Sequence, residues 1–268
     1  MTTARVLPIG RASAPMLMAT DETLLRTCQE RGQPSLHVYT WSGAWLSIGI
    51  SRSLNDIDRG RASVDRVRIA RRHSGGAAVL HRWQIGWSLV VPTDHALGCL
   101  DIVESYRRHA EYTVGALSRL GIQARAATVA EARASVTDGA IERVCFGSLA
   151  PHEIVAGDPP RKLVGWGQIR RRSAVLHHAV IHRRRPEFVA RYIRGSSPAL
   201  DEEIAQRVIG SEELASGVTA PGLRHALVAA LAEFGLDFAN QPLTPDESNS
   251  IHQLLSSKYR ADEWTARR

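Results

Sequence analysis

At 268 residues the chain can hold one large α/β domain, or a domain with a small appendage, and an apolar fraction of 44% allows a sizeable core. No window nears the roughly 18 uninterrupted apolar residues of a membrane span, and residues 1–16 carry no apolar run of the secretory-signal kind. The balance of 34 basic against 27 acidic residues, a formal +7, favours acidic partners or polyanions, and aromatics at 6% are too sparse for a nucleic-acid stacking platform.

Three widely spaced cysteines, Cys28, Cys99 and Cys145, argue against a disulfide framework or a zinc knuckle and for a reducing, cytoplasmic location. No set of ligands sits at metal-binding spacing, so no metal is expected.

In chain order, Leu17, Leu24, Leu25 and Cys28 recur at helical spacing over residues 16–31, and Gly32 supplies a stop. Residues 35–41 and 44–50 have strand character and are joined by a Ser42-Gly43 turn. Val67 and Ile69 lead into Arg71 and Arg72. The turn Ser74-Gly75-Gly76 follows, and a strand from Ala77 to Leu80 then delivers His81. Residues 86–91 make a buried strand closed by Pro92. Paired glycines permit positive φ and close approach of a backbone N–H to a ligand, and the adjacent arginines suit a carboxylate or phosphate. On these residues alone, a plain hairpin turn remains open.

Residues 100–120 form the clearest helix, with Val103, Ala110, Val114, Leu117 and Leu120 as its stripe and Gly121 at its end. Its His109 reads as a packing or surface residue.

The stretch 144–182 is a β-meander. Cys145 precedes a short apolar segment at 152–156, and Gly157, Asp158, Pro159 and Pro160 make a turn. Lys162 opens the next strand, residues 169–173 turn again, and AVLHHAVI closes the meander. Arg161, Lys162, Arg170, Arg171, Arg172, Arg183, Arg184 and Arg185 crowd this region, a field suited to docking an acidic protein or a solvated face. Helices are expected at 186–194, near 211–214, at 219–234 and at 245–259. The economical reading is one compact unit, 1–268, with a helical section from about 186 to 268.

Several of these stretches together resemble the lipoate/biotin protein ligase family. MLMATDETLL looks like its opening Asn-Met-Ala-X-Asp-Glu helix, and LHVYTWSGAWLSIGIS resembles its paired strands. ARRHSGGAAVLH is close to its Arg-Arg-X-Ser/Thr-Gly-Gly-X-Ala-Val-X-His signature. RKLVGWGQIRR is similar to Arg-Lys-X-X-Gly-Ser-Ala-Gln, and KYRADEWTARR to the closing Lys-Tyr-X-X-X-X-Trp motif. VCFGSLAPHEIV is similar to the Cys-Phe-X-X-Pro/Ala-X-X-Glu-Leu segment of the cysteine-using octanoyl transferases in this family. The resemblance implies an α/β (α+β) fold: a mixed or antiparallel sheet packed with helices, as in the biotin/lipoate protein ligase catalytic domain.

It also implies a chemistry. In the transferase reading Cys145 takes an octanoyl group from octanoyl-acyl carrier protein as a thioester, and the lysine of a lipoyl domain then receives it. Such a domain is the glycine-cleavage H protein or a 2-oxoacid dehydrogenase acyltransferase subunit. Cys145 and Lys162 are then the catalytic residues. Arg71, Arg72, Ser74, Gly75, Gly76, Ala77, His81, Gly165, Trp166, Gly167, Gln168 and His178 are the substrate-binding ones. No cofactor is needed. Lys162 either favours the thiolate or takes the amine's proton, and His81 either moves a proton or orients its neighbours.

Two alternatives stay open: an amidotransferase between lipoyl-bearing proteins, and an ATP-dependent ligase. In the ligase, ATP and Mg²⁺ form an acyl-adenylate held by Arg71, Arg72 and the glycine turn. No nucleic-acid or membrane partner is expected in any of these readings. Departures from the family pattern include Ala77, Arg82, Ser51 and the pair Trp166-Gly167, whose bulk is expected where the acyl chain should pass. His177 and His178 resemble the family's Gln-His-Gly-Ser. Strand alternation lets only one face the pocket, and register favours His178.

Overall fold

The computed structural model describes residues 1–135, 143–185 and 189–267. Its strands are β1 (Thr2–Val6), β2 (Gly10–Ala12), β3 (Ser35–Trp41), β4 (Trp45–Ile48), β5 (Arg68–Arg71) and β6 (Val79–His81). They continue with β7 (Gln84–Pro92), β8 (Ala124–Ala126), β9 (Ile154–Ala156), β10 (Arg161–Arg170), β11 (Ala174–His182) and β12 (Leu236–Asn240). The helices are α1 (Ala14–Arg31), α2 (Arg59–Val64), α3 (Ile102–Arg119) and α4 (Val129–Ala134). After these come α5 (Pro198–Arg207), α6 (Ala220–Ala232), α7 (Pro245–Leu254) and α8 (Asp262–Ala266).

A large mixed sheet runs β12-β1-β3-β7-β11-β10-β9-β8, and a small one runs β5-β4-β6. Side-chain alternation divides the large sheet between two helix layers. Leu36, Val38, Ile85, Trp87, Leu89 and Val175 share a core with Ala116 and Leu117 of α3 and Leu223 and Leu227 of α6. On the other face, Val90, Leu176 and Ile169 meet Leu24, Leu25 and Cys28 of α1. The small sheet packs with Ala14 and Leu17, at the start of α1, and with Tyr39 and Trp41, at the end of β3. Cys28 is the small core residue its position in the helix stripe implied.

The meander forms as its turns dictate, with β9, β10 and β11 paired antiparallel. The Gly32 and Gly121 stops hold too, each at positive φ just past its helix. The fold also decides two turns and corrects one reading. The strands joined by Ser42-Gly43 are not a hairpin: β3 belongs to the large sheet and β4 to the small one, so that turn passes the chain between layers. Nor does the Gly75-Gly76 segment close a hairpin. It joins β5 and β6, which flank β4 on opposite sides, and so it crosses the end of β4. Finally, Val103 is 65% exposed, because the first turn of α3 projects beyond the core its later residues cover.

The section after residue 186 is not purely helical, since β12 joins the main sheet parallel to β1 and Thr2 pairs with Leu236. Of the helix expected at 186–194, residues 186–188 lie outside the described residues, and Ala190–Tyr192 form a 3₁₀ turn. The arginine cluster is also dispersed by the fold. Residues 170–172 and 183–185 sit at opposite ends of the β10–β11 pair. Arg183 and Arg184 pair with Glu212, and Arg161 and Arg185 with Glu213.

The C-terminus locks onto α1 and the arginine loop. Glu22 accepts from Lys258 Nζ at 2.7 Å and Tyr259 OH at 2.6 Å, and Tyr259 OH lies 2.8 Å from His73 Nδ1. Trp264 Nε1 donates to the Arg71 carbonyl. In α7, Glu247 is paired with the buried Arg5 and accepts from Thr27.

Burial raises the Glu22 and Glu247 carboxyls, but their donors outweigh it and hold both at about 2, below the ordinary 4.5. The stability these groups contribute is therefore fully present above about pH 4.5 and is lost as pH falls toward 2. Urea melts across that window should show a falling midpoint, and Glu22→Gln or Glu247→Gln should flatten the dependence. An equally steep curve in both variants would contradict this origin.

Candidate active site

A cavity opens between α1, the α1-facing side of β10 and β11, and the small sheet with its glycine loop. Arg72 shapes that loop. Its guanidinium donates to the carbonyls of Gly75 (2.8 Å), Ala77 (2.7 Å) and Ser47 (3.2 Å) and to Ser47 Oγ (3.0 Å), so every N–H has a protein partner. Gly76 sits at φ +92, and its carbonyl packs so closely on Gly49 that a Cβ there would lie 2.1 Å away. Among the described residues, no hydrogen bond engages the amide N–H of Gly75 or Gly76.

Arg71 is turned away from the cavity. It binds the carbonyls of Gly49, Ile50, Arg52 and Thr265, tying the loop after β4 to α8.

The half-buried Cys145 opens a short 3₁₀ turn and lines the cavity. The turn is pinned beside the loop: the Ala78 amide donates to the Arg143 carbonyl, and the Cys145 amide to the Ala78 carbonyl at 2.9 Å. Lys162, just inside β10, is buried beneath this turn and does not itself line the cavity. Its Nζ donates to the carbonyls of Cys145 (2.7 Å) and Ser148 (3.1 Å) and lies 2.6 Å from Glu153 Oε2. Burial pushes the Glu153 carboxyl up, and Lys162 pulls against that shift.

His81 is stacked on Trp41 with ring centroids 4.4 Å apart. Its Nε2 lies 2.8 Å from Ser47 Oγ and its Nδ1 2.6 Å from Gln84 Oε1, and Gln84 Nε2 reaches His182 at 3.0 Å. Because Gln84 Oε1 only accepts, the proton sits on Nδ1 and the Ser47 hydroxyl donates to Nε2. Burial lowers His81 to about 3. It stands as a neutral brace with both ring nitrogens engaged. His178 Nε2 is 2.8 Å from Ser74 Oγ, and burial lowers this ring to about 4. His177 faces the α3 layer instead, against His109, as alternation requires. Among the described residues, no helix is long and apolar enough to cross a membrane, and no cluster is placed to hold a metal ion.

Residues 13–184 match the lipoyl protein ligase A/B catalytic domain. The chain belongs to this family. It is 31% identical over 278 residues to the octanoyltransferase LipM of Kyrpidia tusciae, with both chains fully covered. Against the octanoyltransferase LipM of Bacillus subtilis it is 27% identical over 287 residues, covering 99% of each. The fold is similar to a chain from the structure of a bi-partite lipoate protein ligase and its E2 lipoyl domain from Thermoplasma acidophilum. There the TM-score is 0.81 at 22% identity, covering 99% of this chain and 97% of that one. It is also similar to lipoate-protein ligase A bound with ATP, with a TM-score of 0.80 at 24% identity and 99% of each chain covered.

The family motifs, far apart in sequence, meet around one cavity. Arg72, Ser74, Gly75, Gly76 and His81 line it from one side, and Cys145, Gly165, Trp166, Gly167 and His178 from the other. Arg71, Ala77, Lys162 and Gln168 do not line it. Gln168 accepts from Ser105 on the α3 side, while Ala77 lends its carbonyl to Arg72. Sequence reasoning did not single out Asp21, Ser47 or His73, which line the cavity, or Glu153 behind it. Two signals for Glu153 were available: an acidic residue near the head of an otherwise apolar segment, and the Glu of the Cys-Phe-X-X-Pro/Ala-X-X-Glu-Leu likeness.

The departure Trp166-Gly167 acts opposite to expectation. A Cβ on Gly165 would meet Phe146, and one on Gly167 would lie 2.9 Å from His178, so both glycines face the cavity. Trp166, between them, points to the other side, where its indole stacks near Tyr106 and edges His109. Trp166→Ser should therefore leave acyl-chain preference unchanged, measured with donors of six to twelve carbons, while lowering the thermal midpoint. A longer preferred chain would restore the indole as the channel wall.

Proposed function

We propose that this protein is an acyltransferase that moves an octanoyl group from octanoyl-acyl carrier protein to the lysine of a lipoyl domain, through a Cys145 thioester. The placement of Cys145 carries this reading. A half-buried thiol shares one cavity with the glycine loop and with apolar walls from Leu17, Met18, Leu176 and Val180. The octanoyltransferase relatives match the chain along its whole length.

In the first half-reaction the Cys145 thiolate attacks the thioester carbonyl and the carbonyl electron pair moves to oxygen. The resulting oxyanion faces the amides of Gly75 and Gly76. Collapse expels the carrier thiolate, which takes up the proton the Cys145 thiol gave up, and leaves octanoyl-Cys145. In the second half the acceptor amine attacks, a tetrahedral oxyanion forms again at the same place, and collapse returns the Cys145 sulfur. The amine's proton passes to the departing sulfur, so the thiol is regenerated. The acyl chain lies over Gly165 and Gly167, whose missing side chains leave the floor open. The thioester donor is already activated, so neither ATP nor Mg²⁺ takes part, and the work belongs to the cytoplasm, where the carrier is made.

Arg71 and Arg72, the phosphate holders of an adenylating alternative, are both occupied by backbone carbonyls. The test mixes the protein with octanoyl-acyl carrier protein and an unmodified lipoyl domain in the absence of ATP. One octanoyl group should appear on the domain by intact mass. Modification only with a free acid and Mg·ATP would overturn the reading in favour of a ligase, and transfer only from an octanoylated lipoyl-bearing protein would make the enzyme an amidotransferase.

A further inference from the structure

The segment 145–153 lies outside any ladder with β10, yet the carbonyls of Cys145 and Ser148 and the amide of Ala150 find partners in one buried place. The Lys162 ammonium holds the carbonyls of Cys145 and Ser148 and pairs with Glu153, so all three of its N–H directions are used. Glu153 is the other half of this knot. Its Oε2 accepts from the Ala150 amide at 2.8 Å as well as facing Lys162, and the Trp166 backbone donates to it too. Both side chains are almost wholly buried, with side-chain exposures of 2% for Lys162 and 5% for Glu153. The ring of Phe146 covers the ammonium at 4.8 Å. A buried ion pair is costly to assemble and is a weak device for stability alone, whereas losing one partner strands a charge. Here the pair lies directly under the residue that carries the thiol.

We propose that Glu153 is a positioning residue for acyl transfer: its charge holds the Lys162 ammonium under the thiol-bearing turn and thereby sets Cys145 against the Gly75-Gly76 loop. This rests on the thioester reading of Cys145. Without the carboxylate, the ammonium has no buried counter-charge and is drawn toward water. The turn then keeps its covalent path but loses the donor that fixes the Cys145 carbonyl. The thiol remains present and accessible, but it is displaced from the amides that receive the oxyanion, and a displacement of about 1 Å can cost on the order of a hundredfold in rate.

Glu153→Gln separates charge from shape, because one oxygen can still serve both Lys162 and the Ala150 amide. The expected result is a folded protein whose kcat for octanoyl transfer falls at least tenfold with KM for the carrier unchanged. Alkylation of Cys145 by iodoacetamide, followed by peptide mass so that Cys28 and Cys99 are told apart, should change less than twofold. Unchanged kcat would overturn the proposal, and so would alkylation accelerated in step with the loss of transfer, which marks simple local unfolding.

If the single variant does not fold, Lys162→Met with Glu153→Gln removes both charges together. That pair should fold and transfer slowly, and a wild-type rate in it would overturn the proposal. Wild-type protein that forms no acyl-enzyme would instead sink the thioester reading, and the alkylation assay, which needs no donor, distinguishes the two failures.

Discussion

Cys145→Ser should abolish the octanoyl-enzyme adduct and slow transfer to the lipoyl domain by roughly a thousandfold or more. Sulfur suits the role because it is intrinsically far more nucleophilic than a hydroxyl oxygen, whereas a serine hydroxyl needs an adjacent base to attack. The bases that the resemblance pointed to are taken: His81 is engaged at both ring nitrogens, His178 is bonded to Ser74, and Lys162 is held by two carbonyls and Glu153. The substitution is nearly isosteric at a half-buried position, so the thermal midpoint should stay within about a degree of wild type. The measurement is intact mass after incubation with octanoyl-acyl carrier protein, then hydroxylamine, which should remove the wild-type adduct. A serine variant with the wild-type transfer rate would retire Cys145 as the nucleophile.

Lys162→Met should have the largest effect on stability. It leaves the Glu153 carboxylate buried with only backbone donors, and it strips the Cys145 and Ser148 carbonyls of their partner. Breaking a buried pair from one side costs about 3–5 kcal/mol. For a domain of this size that corresponds to a thermal midpoint lower by roughly 6–20 °C. Calorimetry on the single variant and on the Lys162→Met, Glu153→Gln pair checks it, since the second change removes the stranded charge and should restore most of the loss. A single variant as stable as wild type would mean that the cavity wall relaxes to let water reach Glu153.

The local chemistry of the chain determined a good deal unaided. Apolar spacing and the glycine stops gave α1, α3 and α6, because a helix that buries one face must repeat its apolar residues at 3.6. The turns read at 157–160 and 169–173 dictated the β9–β10–β11 meander, although β10 runs on through Ile169 and Arg170, and alternation with register chose His178 over His177 to face the cavity. The clustering of motifs was legible as well, since Arg72, Gly75, Gly76, Cys145 and Gly165 do line one cavity.

Only the tertiary structure decided the rest, and the reason is pairing over distance. Short strands such as β1 and β12 have no periodicity to betray them and form because each completes the other across the whole chain. A sequence cannot say whether β3 and β4 share a sheet, because the same Ser42-Gly43 turn serves a hairpin or a passage between layers. Nor can it say what a guanidinium or an ammonium touches. Arg72 reads as a ligand for anions until the carbonyls of its own loop are seen to occupy it, and the sequence shows Lys162 only at the head of a strand until Glu153 is found beside it beneath the cysteine turn. Trp166 reads as an obstruction until the register of β10 turns its indole to the opposite face. Charge and bulk are properties of residues, but their direction belongs to the fold.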